Sequence, residues 1–323
     1  VDEDWLIPHF EKMLYDNAQL VLLISKYLKV NKNKYFEKKI IQTISFINKD
    51  FFNKENKLLG SAYDADSDGE EGKYYIFSYD QLKKIKNINQ YFDVKPEGNW
   101  ENKIILKEIK TPPESIVLEL KRLREKKNKP FFDSKIQLDL NCLWVSALIS
   151  AEKILPNNNF FKTAEIYYKN LEKFFFNKEK LRHTILKSDV FLEDYAYSIA
   201  MFLDLYDQTL KPSYLFNAKR LCKETIKHFY IKEKSIFQKN IVATNDLFHQ
   251  PIDISDGNIP NGNSVMLLNF SRLRMKNEAE ELSNSLNGYL NVYKLLMASA
   301  LKSIDHFNIV NSNKNCTEEG CDI

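Results

Sequence analysis

Four polar clusters hold the residue types that do chemistry. The richest is Ser61-Ala62-Tyr63-Asp64-Ala65-Asp66-Ser67-Asp68-Gly69-Glu70-Glu71-Gly72. Asp64, Asp66, Asp68 and Gly69 match the first half of a calcium loop, where alternate carboxylates converge on one cation. The twelfth position, however, is Tyr75 instead of glutamate, and a strand-like run follows instead of a helix. These departures argue against a metal; paired carboxylates acting as acid and base are the functional reading of the loop, and a solvated acidic turn the structural one. His9 is the second centre, with Glu11 and Asp16 within eight residues. A carboxylate beside an imidazole orients it and raises its basicity. The third cluster is Phe191-Leu192-Glu193-Asp194-Tyr195-Ala196, and the fourth runs from Asp256-Gly257 to Gly262-Asn263-Ser264. Each has an ordinary structural explanation: acids cap helix N-termini, and glycines make turns. Polar clusters that recur just before apolar helices nevertheless point to one shared site. His9, Asp64, Asp66 and Asp194 are its expected catalytic residues. Glu11, Tyr15, Asp16, Asn17, Asn141, Tyr195, Asp256 and Asn263 are expected to bind substrate.

The elements that must position these groups are helices. Residues 18–28 are apolar on nearly every side, which predicts an inner, buried helix with Asp16 or Asn17 as its N-cap. Residues 34–52 repeat Phe36, Ile40, Ile44, Ile47 and Phe51 at helical spacing with Lys and Glu opposite, the pattern of an outer, one-sided helix. The alternation recurs: inner at 141–155, outer at 160–176, inner at 195–206, outer at 214–230, inner from 263, outer at 277–293. Helical hairpins repeated in this way predict an all-α (α/α) barrel with the polar clusters at one mouth; an open solenoid is the alternative. An insert at about 57–135 interrupts the series. Within it Lys73-Tyr74-Tyr75-Ile76-Phe77 predicts a strand, 80–88 a small helix and 121–130 a basic loop. The tail, 311–323, is polar.

Composition narrows the function classes. A formal charge of +3 spread along 323 residues argues against nucleic acid as the main partner. No apolar run approaches the length of a membrane span. Cys142 and Cys222 fall inside apolar helical patterns and read as reduced core residues, so a cytoplasmic protein is expected. Cys316 and Cys321 have no second pair with which to form a zinc site.

The same segments resemble one family, the thioredoxin-domain-containing proteins related to spermatogenesis-associated protein 20. The resemblance is carried by Trp5 with Pro8 through Leu20, by Ser61 through Ser67, by Gly72-Lys73-Tyr74-Tyr75, by Gly98-Asn99, by Glu193-Asp194-Tyr195-Ala196, and by Asp256-Gly257 with Gly262-Asn263-Ser264. The tail cysteines Cys316 and Cys321 also fit. It implies an (α/α)6 toroid of the six-hairpin glycosidase kind, akin also to N-acylglucosamine 2-epimerases. It further implies that residues 1–310 form the barrel domain without its first hairpin, and that a thioredoxin-like domain, absent here, precedes it and is its partner. Two departures stand out. Leu140-Asn141 replaces a Trp-Asn pair, which implies loss of an aromatic sugar platform, and Asn261 replaces a serine.

These readings converge on a carbohydrate-active or sugar-binding barrel taking a small-molecule carbohydrate, with no cofactor. A non-catalytic scaffold for the thioredoxin-like domain is the alternative. Between sugar chemistries, 2-epimerisation needs two bases near neutral pKa. Among the five histidines, His228 lies on an outer helix and His306 near the tail. His183 and His249 lie in irregular stretches that can reach the mouth. Carboxylates are more plentiful there, so glycoside hydrolysis ranks above epimerisation.

Overall fold

The computed structural model describes residues 2–176, 181–187, 189–241 and 251–312. His249, Cys316 and Cys321 lie outside them. The chain divides into two compact units, one formed by Val1–Met13 and Ser61–Ser134, the other by Leu14–Gly60 and Lys135–Ile323. The helices, in chain order, are α1 (Leu14–Val30), α2 (Lys34–Asp50), α3 (Tyr79–Leu82), α4 (Glu114–Glu125), α5 (Leu138–Ile154), α6 (Phe160–Leu171), α7 (Leu192–Thr209), α8 (Pro212–Phe229), α9 (Gly262–Arg272), α10 (Lys276–Tyr293) and α11 (Ala298–Ser312).

The second unit is built from the expected alternation. Inner helices pack in series, α1 on α5, α5 on α7, α7 on α9 and α9 on α11, while α2, α6, α8 and α10 lie against α1, α5, α7 and α9. This is the arrangement of an (α/α)6 toroid, and the protein belongs to that all-α fold class. The sequence dictates which helix goes inside. In α5 every residue from Leu138 to Ile149 is buried, whereas α2 buries only Ile40, Ile44 and Ile47, on one stripe. Helix α1 departs from expectation. It begins at Leu14, so Asp16 and Asn17 lie inside its first turn rather than at the cap, and it buries only Leu14, Ala18, Val21, Ser25 and Leu28. Its neighbours α2 and α5 cover part of its circumference, leaving Leu23 63% and Val30 81% exposed. Helix α11 was not anticipated; it lies among the inner set, beside α9.

Short extended pairings hold the inner helices in register. Gln137 bridges to Thr184 and Phe191 to Asn240, so the residue before each of α5 and α7 is tied to the segment after the next outer helix. The first helical residues continue the tie: Leu138 N–H donates to His183 C=O and Leu192 N–H to Lys239 C=O, both at 2.9 Å. Two outer helices end in two-residue hairpins, Phe52–Asn53 with Leu58–Leu59 and Tyr230–Ile231 with Ile236–Phe237. A buried asparagine clamps each hairpin. Asn141 accepts from Leu59 N–H and donates to Leu59 C=O, both at 3.0 Å. Asn263 does the same to Phe237 at 2.9 Å, and donates also to Asp253 C=O at 3.0 Å. A side-chain amide thus supplies the missing strand partner, satisfying backbone groups that no water reaches.

The first unit has its own core, with Phe77, Leu82, Ile88, Phe92, Ile104 and Leu120 among its buried residues. Lys12–Met13, Ala62–Tyr63 and Phe132–Asp133 form a three-stranded antiparallel sheet. Phe10 is 2% exposed and its ring lies 5.5 Å from that of Trp100. Gly72, at φ +69°, makes room for it: a Cβ there would sit 2.6 Å from the Phe10 ring. Two local expectations are corrected. Lys73 through Tyr75 form turns, and only Phe77 pairs, with Ile104, because Gly72 bends the chain and the side chains of Tyr74 and Phe77 are buried. Residues 121–125 belong to α4, whose Ile116 and Leu120 stripe outweighs the basic residues around it.

Because the clamps leave no spare partner, Asn141→Ala and Asn263→Ala should each cost about 3 kcal/mol of stability, the penalty of stranding buried backbone groups. Urea unfolding followed by circular dichroism, with a helix-dominated native spectrum, measures both; a loss near zero would refute the clamping role.

Candidate active site

The N-termini of α5, α7 and α9 border a cleft of about 340 Å³ whose lining includes Asp139, His183, Phe191, Glu193, Lys239 and Asp253. Asp139 and Glu193 are placed by helix starts, and His183, Lys239 and Asp253 by the segments that lead toward them. Asp194, fully buried, sits in the first turn of α7. Its Oδ2 accepts from Phe191 N–H at 2.9 Å, the reciprocal half of a capping box, and its Oδ1 lies 3.0 Å from His183 Nδ1. The Gln137 amide nitrogen lies 2.9 Å from His183 Nε2. An amide nitrogen only donates, so Nε2 is the unprotonated nitrogen and Nδ1–H donates to Asp194. Asp139 is 6% exposed, in the first turn of α5, with Oδ1 accepting from Leu140 N–H at 2.8 Å. One ligand-type atom from each of Asp139, His183 and Asp194 falls within 4.8 Å of the others, the one such group among the described residues. A metal would have to displace the hydrogen bonds that His183 and Asp194 already make.

The electrostatics follow from this crowding. Burial, and then repulsion from Asp194, push the Asp139 carboxyl up to about 7, with His183 partly opposing. Burial alone would lower the His183 pKa, but the hydrogen bond and charge of Asp194, with Asp139 and Glu193 behind it, raise it above the ordinary histidine value. Burial also raises Glu193, whose Oε1 accepts from Gly262 N–H at 3.3 Å. That approach needs glycine: a Cβ on Gly262 would lie 2.7 Å from the Leu192 side chain. Across the cleft Lys239 and Asp253 pair at 2.7 Å. The site therefore offers a carboxyl that exchanges its proton near neutrality and an imidazole held in one tautomer, the two requirements of acid–base catalysis.

The expected site residues fall in two places. Tyr15, Asp16, Asn17, Asn141, Asp194, Tyr195, Asp256 and Asn263 belong to the second unit; His9, Glu11, Asp64 and Asp66 belong to the first. Of the former, Asp194 stands behind the cleft, bonded to His183. Asn141 and Asn263 are the backbone clamps. Tyr195 is buried with its ring 5.3 Å from Phe229 of the outer helix α8. Asp256 accepts from Asn261 N–H at 3.1 Å and Ser299 N–H at 2.8 Å. Asn261 itself caps α9, accepting from Ser264 N–H at 3.0 Å, so the cap falls neither on Asn263 nor on Ser264. Asparagine is a favoured residue at that position. Tyr15 accepts from the Asn258 amide at 2.9 Å. In the first unit, His9 and Glu11 pair at 3.0 Å with both side chains largely exposed. Asp64 and Asp66 are exposed, and Asp66–Ser67 pairs with Glu70–Glu71 around Asp68 and Gly69, both at positive φ. That is a tight hairpin. Asp68 is taken up by the Asn128 amide at 2.8 Å.

Sequence reasoning named His183 and Glu193 as groups able to reach the mouth, and missed Asp139, Lys239 and Asp253. Asp139 had a signal: it is the one charged residue between Ile136 and Ala151, in a helix that is otherwise largely apolar.

Fold and cleft together define an α-helical toroid with a cleft of titratable side chains where its inner helices begin. Among curated proteins, the chain is 26% identical to uncharacterized protein B0495.5 of Caenorhabditis elegans over 352 aligned residues, 89% of this chain and 47% of that protein. It is 24% identical to human spermatogenesis-associated protein 20 over 84% of this chain and 42% of that protein. The chain thus spans about half the length of the curated relatives it matches. No family model matches it. Similar solved structures are a sugar epimerase from a ruminal bacterium (TM-score 0.57, 8% identity, 96% of this chain and 78% of that one) and the GH76 alpha-mannanase BT2949 of Bacteroides thetaiotaomicron (0.55, 11%, 94% and 70%). A third is the cellobiose 2-epimerase of Spirochaeta thermophila (0.54, 10%, 98% and 78%). Among the described residues no helix is long and apolar enough to cross a membrane.

The raised Asp139 pKa sets a pH dependence of stability. Its folded value, about 7, exceeds the value near 4 of an unfolded chain. The folded state then holds the proton more tightly, so this contribution is fully present below pH 4 and is lost as pH rises through 7. Thermal melts from pH 4 to 8 should fall more steeply for wild type than for Asp139→Asn, and the variant should be the more stable at pH 8. Parallel profiles would mean that Asp139 is ionised throughout.

Proposed function

We propose that the α5–α7–α9 cleft binds a carbohydrate and moves a proton on it, as a sugar isomerase or epimerase does. The observation that carries this reading is the placement of Asp139 and the Asp194-held His183 within 4.8 Å in a polar cleft. His183 Nε2, the unprotonated nitrogen, takes the proton from the carbon beside the sugar carbonyl once the substrate displaces the Gln137 amide. Asp139, still partly protonated at neutral pH, gives its proton to the carbonyl oxygen. For isomerisation the enediol collapses when His183 gives its proton to the neighbouring carbon and the Asp139 carboxylate takes one from the hydroxyl on the original carbon; epimerisation needs in addition a second acid, on the opposite face of the original carbon, to return the carbon proton. Asp194 acts through His183, fixing its tautomer. The volume lies at the low end of ordinary ligand clefts and suits a small sugar. An open cleft that carries Asp139, His183, Glu193, Lys239 and Asp253 in its lining favours this over a non-catalytic scaffold. Two sugar epimerases among the structures of like fold support the chemistry as precedent on the same framework, though likeness of fold alone carries no activity.

The hydrolytic reading remains the competitor, with Asp139 as acid and another mouth carboxylate as base. Glu193 already accepts from Gly262 N–H, and Asp253 is paired with Lys239. A thermal-shift screen of free sugars and glycosides finds the ligand class, since a ligand of the folded state raises the melting point. Incubation of the hit in D2O, followed by proton NMR, then separates the chemistries: deuterium at the carbon beside the carbonyl marks proton transfer, and new reducing ends without deuterium mark hydrolysis. His183→Ala and Asp139→Asn should each lower kcat by about 10²-fold or more. Asp194→Asn should lower kcat with little change in KM. Full activity in both His183→Ala and Asp139→Asn would sink the proposal.

A further inference from the structure

A second cavity, about 310 Å³, lies among the inner helices α1, α5, α7, α9 and α11. Its cations come mainly from the ends of the helices away from the acid–base cleft: Lys26 and Lys29 from the last turns of α1, Lys153 from the last turn of α5, Arg272 from the last residue of α9. Lys302 joins them from the second turn of α11. Arg272 is neutralised, at 2.8 Å from Asp204 and 2.9 Å from Asp207. Among the described residues no ion pair engages Lys26, Lys29, Lys153 or Lys302, and Asp204 is the one carboxylate in the lining.

The positions of Lys29 and Lys153 have a plain explanation, because cations are favoured at helix C-termini. That of Lys302 does not. It sits near the positive end of α11 and lines the cavity together with Lys26 of α1, both residues exposed to solvent. Two ammonium groups brought together without an acid between them cost free energy unless an anion joins them. Leu143, Ile149 and Leu268 supply an apolar wall to the same cavity.

We propose that this cavity is a binding site for a phosphate-bearing small molecule, held by Lys26, Lys29, Lys153 and Lys302. Lysine binds phosphate as a point charge, and several converge here. A monovalent carboxylate would leave most of their charge unmatched, whereas a phosphate or diphosphate group matches it. The site is independent of the sugar chemistry proposed above.

Inorganic pyrophosphate is the probe. Isothermal titration calorimetry on the purified chain, at constant ionic strength in chloride, should show saturable binding. Lys26→Gln and Lys302→Gln should each weaken it about tenfold or more, and Lys239→Gln, in the acid–base cleft, should leave it unchanged. Absence of binding by wild type, loss of binding in Lys239→Gln, or equal competition by chloride would each overturn the assignment. If a lysine variant fails to fold, acylation footprinting of the wild type decides the matter. Pyrophosphate should protect Lys26 and Lys302, and not Lys239, from modification at pH 8; equal labelling with and without it would refute the site.

Discussion

The buried carboxylate of Asp194 is the constraint on which the rest of the cleft depends. With no exposed surface, it must find its partners in the protein, and it takes one from the backbone at Phe191 and one from the ring of His183. The first bond starts α7; the second fixes a tautomer. Having done both, the carboxylate repels the next one along, Asp139, and so prepares a carboxyl that titrates near neutrality. Helix initiation and active-site tuning are here the same interaction. It explains why the cleft lies where inner helices begin: only there are backbone N–H groups available to stabilise acids out of reach of water.

Much of the framework was legible in the sequence. The contrast between α5, apolar all round, and α2, apolar on one stripe, needs no coordinates to read, and it gives inner and outer layers directly. What stayed hidden was set by contacts distant in sequence. The strand expected at 73–77 is undone by Gly72, which bends the chain so that Phe10 can fill the space beside it. Nothing local announces that partnership. Helix α11, with residues such as Ser299, Lys302 and Asp305 breaking its apolar pattern, lacks the continuous run that marked α5.

The site was legible in kind but not in detail. Glu193 and Asn261, from the clusters before α7 and α9, line one cleft, with Asp194 bonded to His183 behind it. The segment that looked richest, around Asp64 and Asp66, forms instead an exposed hairpin of the first unit. Residue types at suggestive spacing recorded a turn, because alternate acids flanking a glycine suit a hairpin as well as a cation. Conversely, Asn141 and Asn263 drew attention as polar groups in apolar helices, and they are just that: the price of closing two hairpins without a third strand. A lone polar residue in a core marks a demand for hydrogen bonds, which the backbone can make as readily as a ligand.

The two clamps also bear on how the chain reaches its native state. Leu59 and Asn141 are 82 residues apart, whereas Phe237 and Asn263 are separated by 26. Closing the longer loop costs about 1 kcal/mol more chain entropy. The shorter closure joins α8, its hairpin and α9, all neighbours in the chain, and these have the lower contact order. Assembly of the toroid is therefore expected to nucleate around α7, α8 and α9, with α1 and α2 added late. Destabilising changes near Asn263 would then slow folding, and those near Asn141 would chiefly speed unfolding.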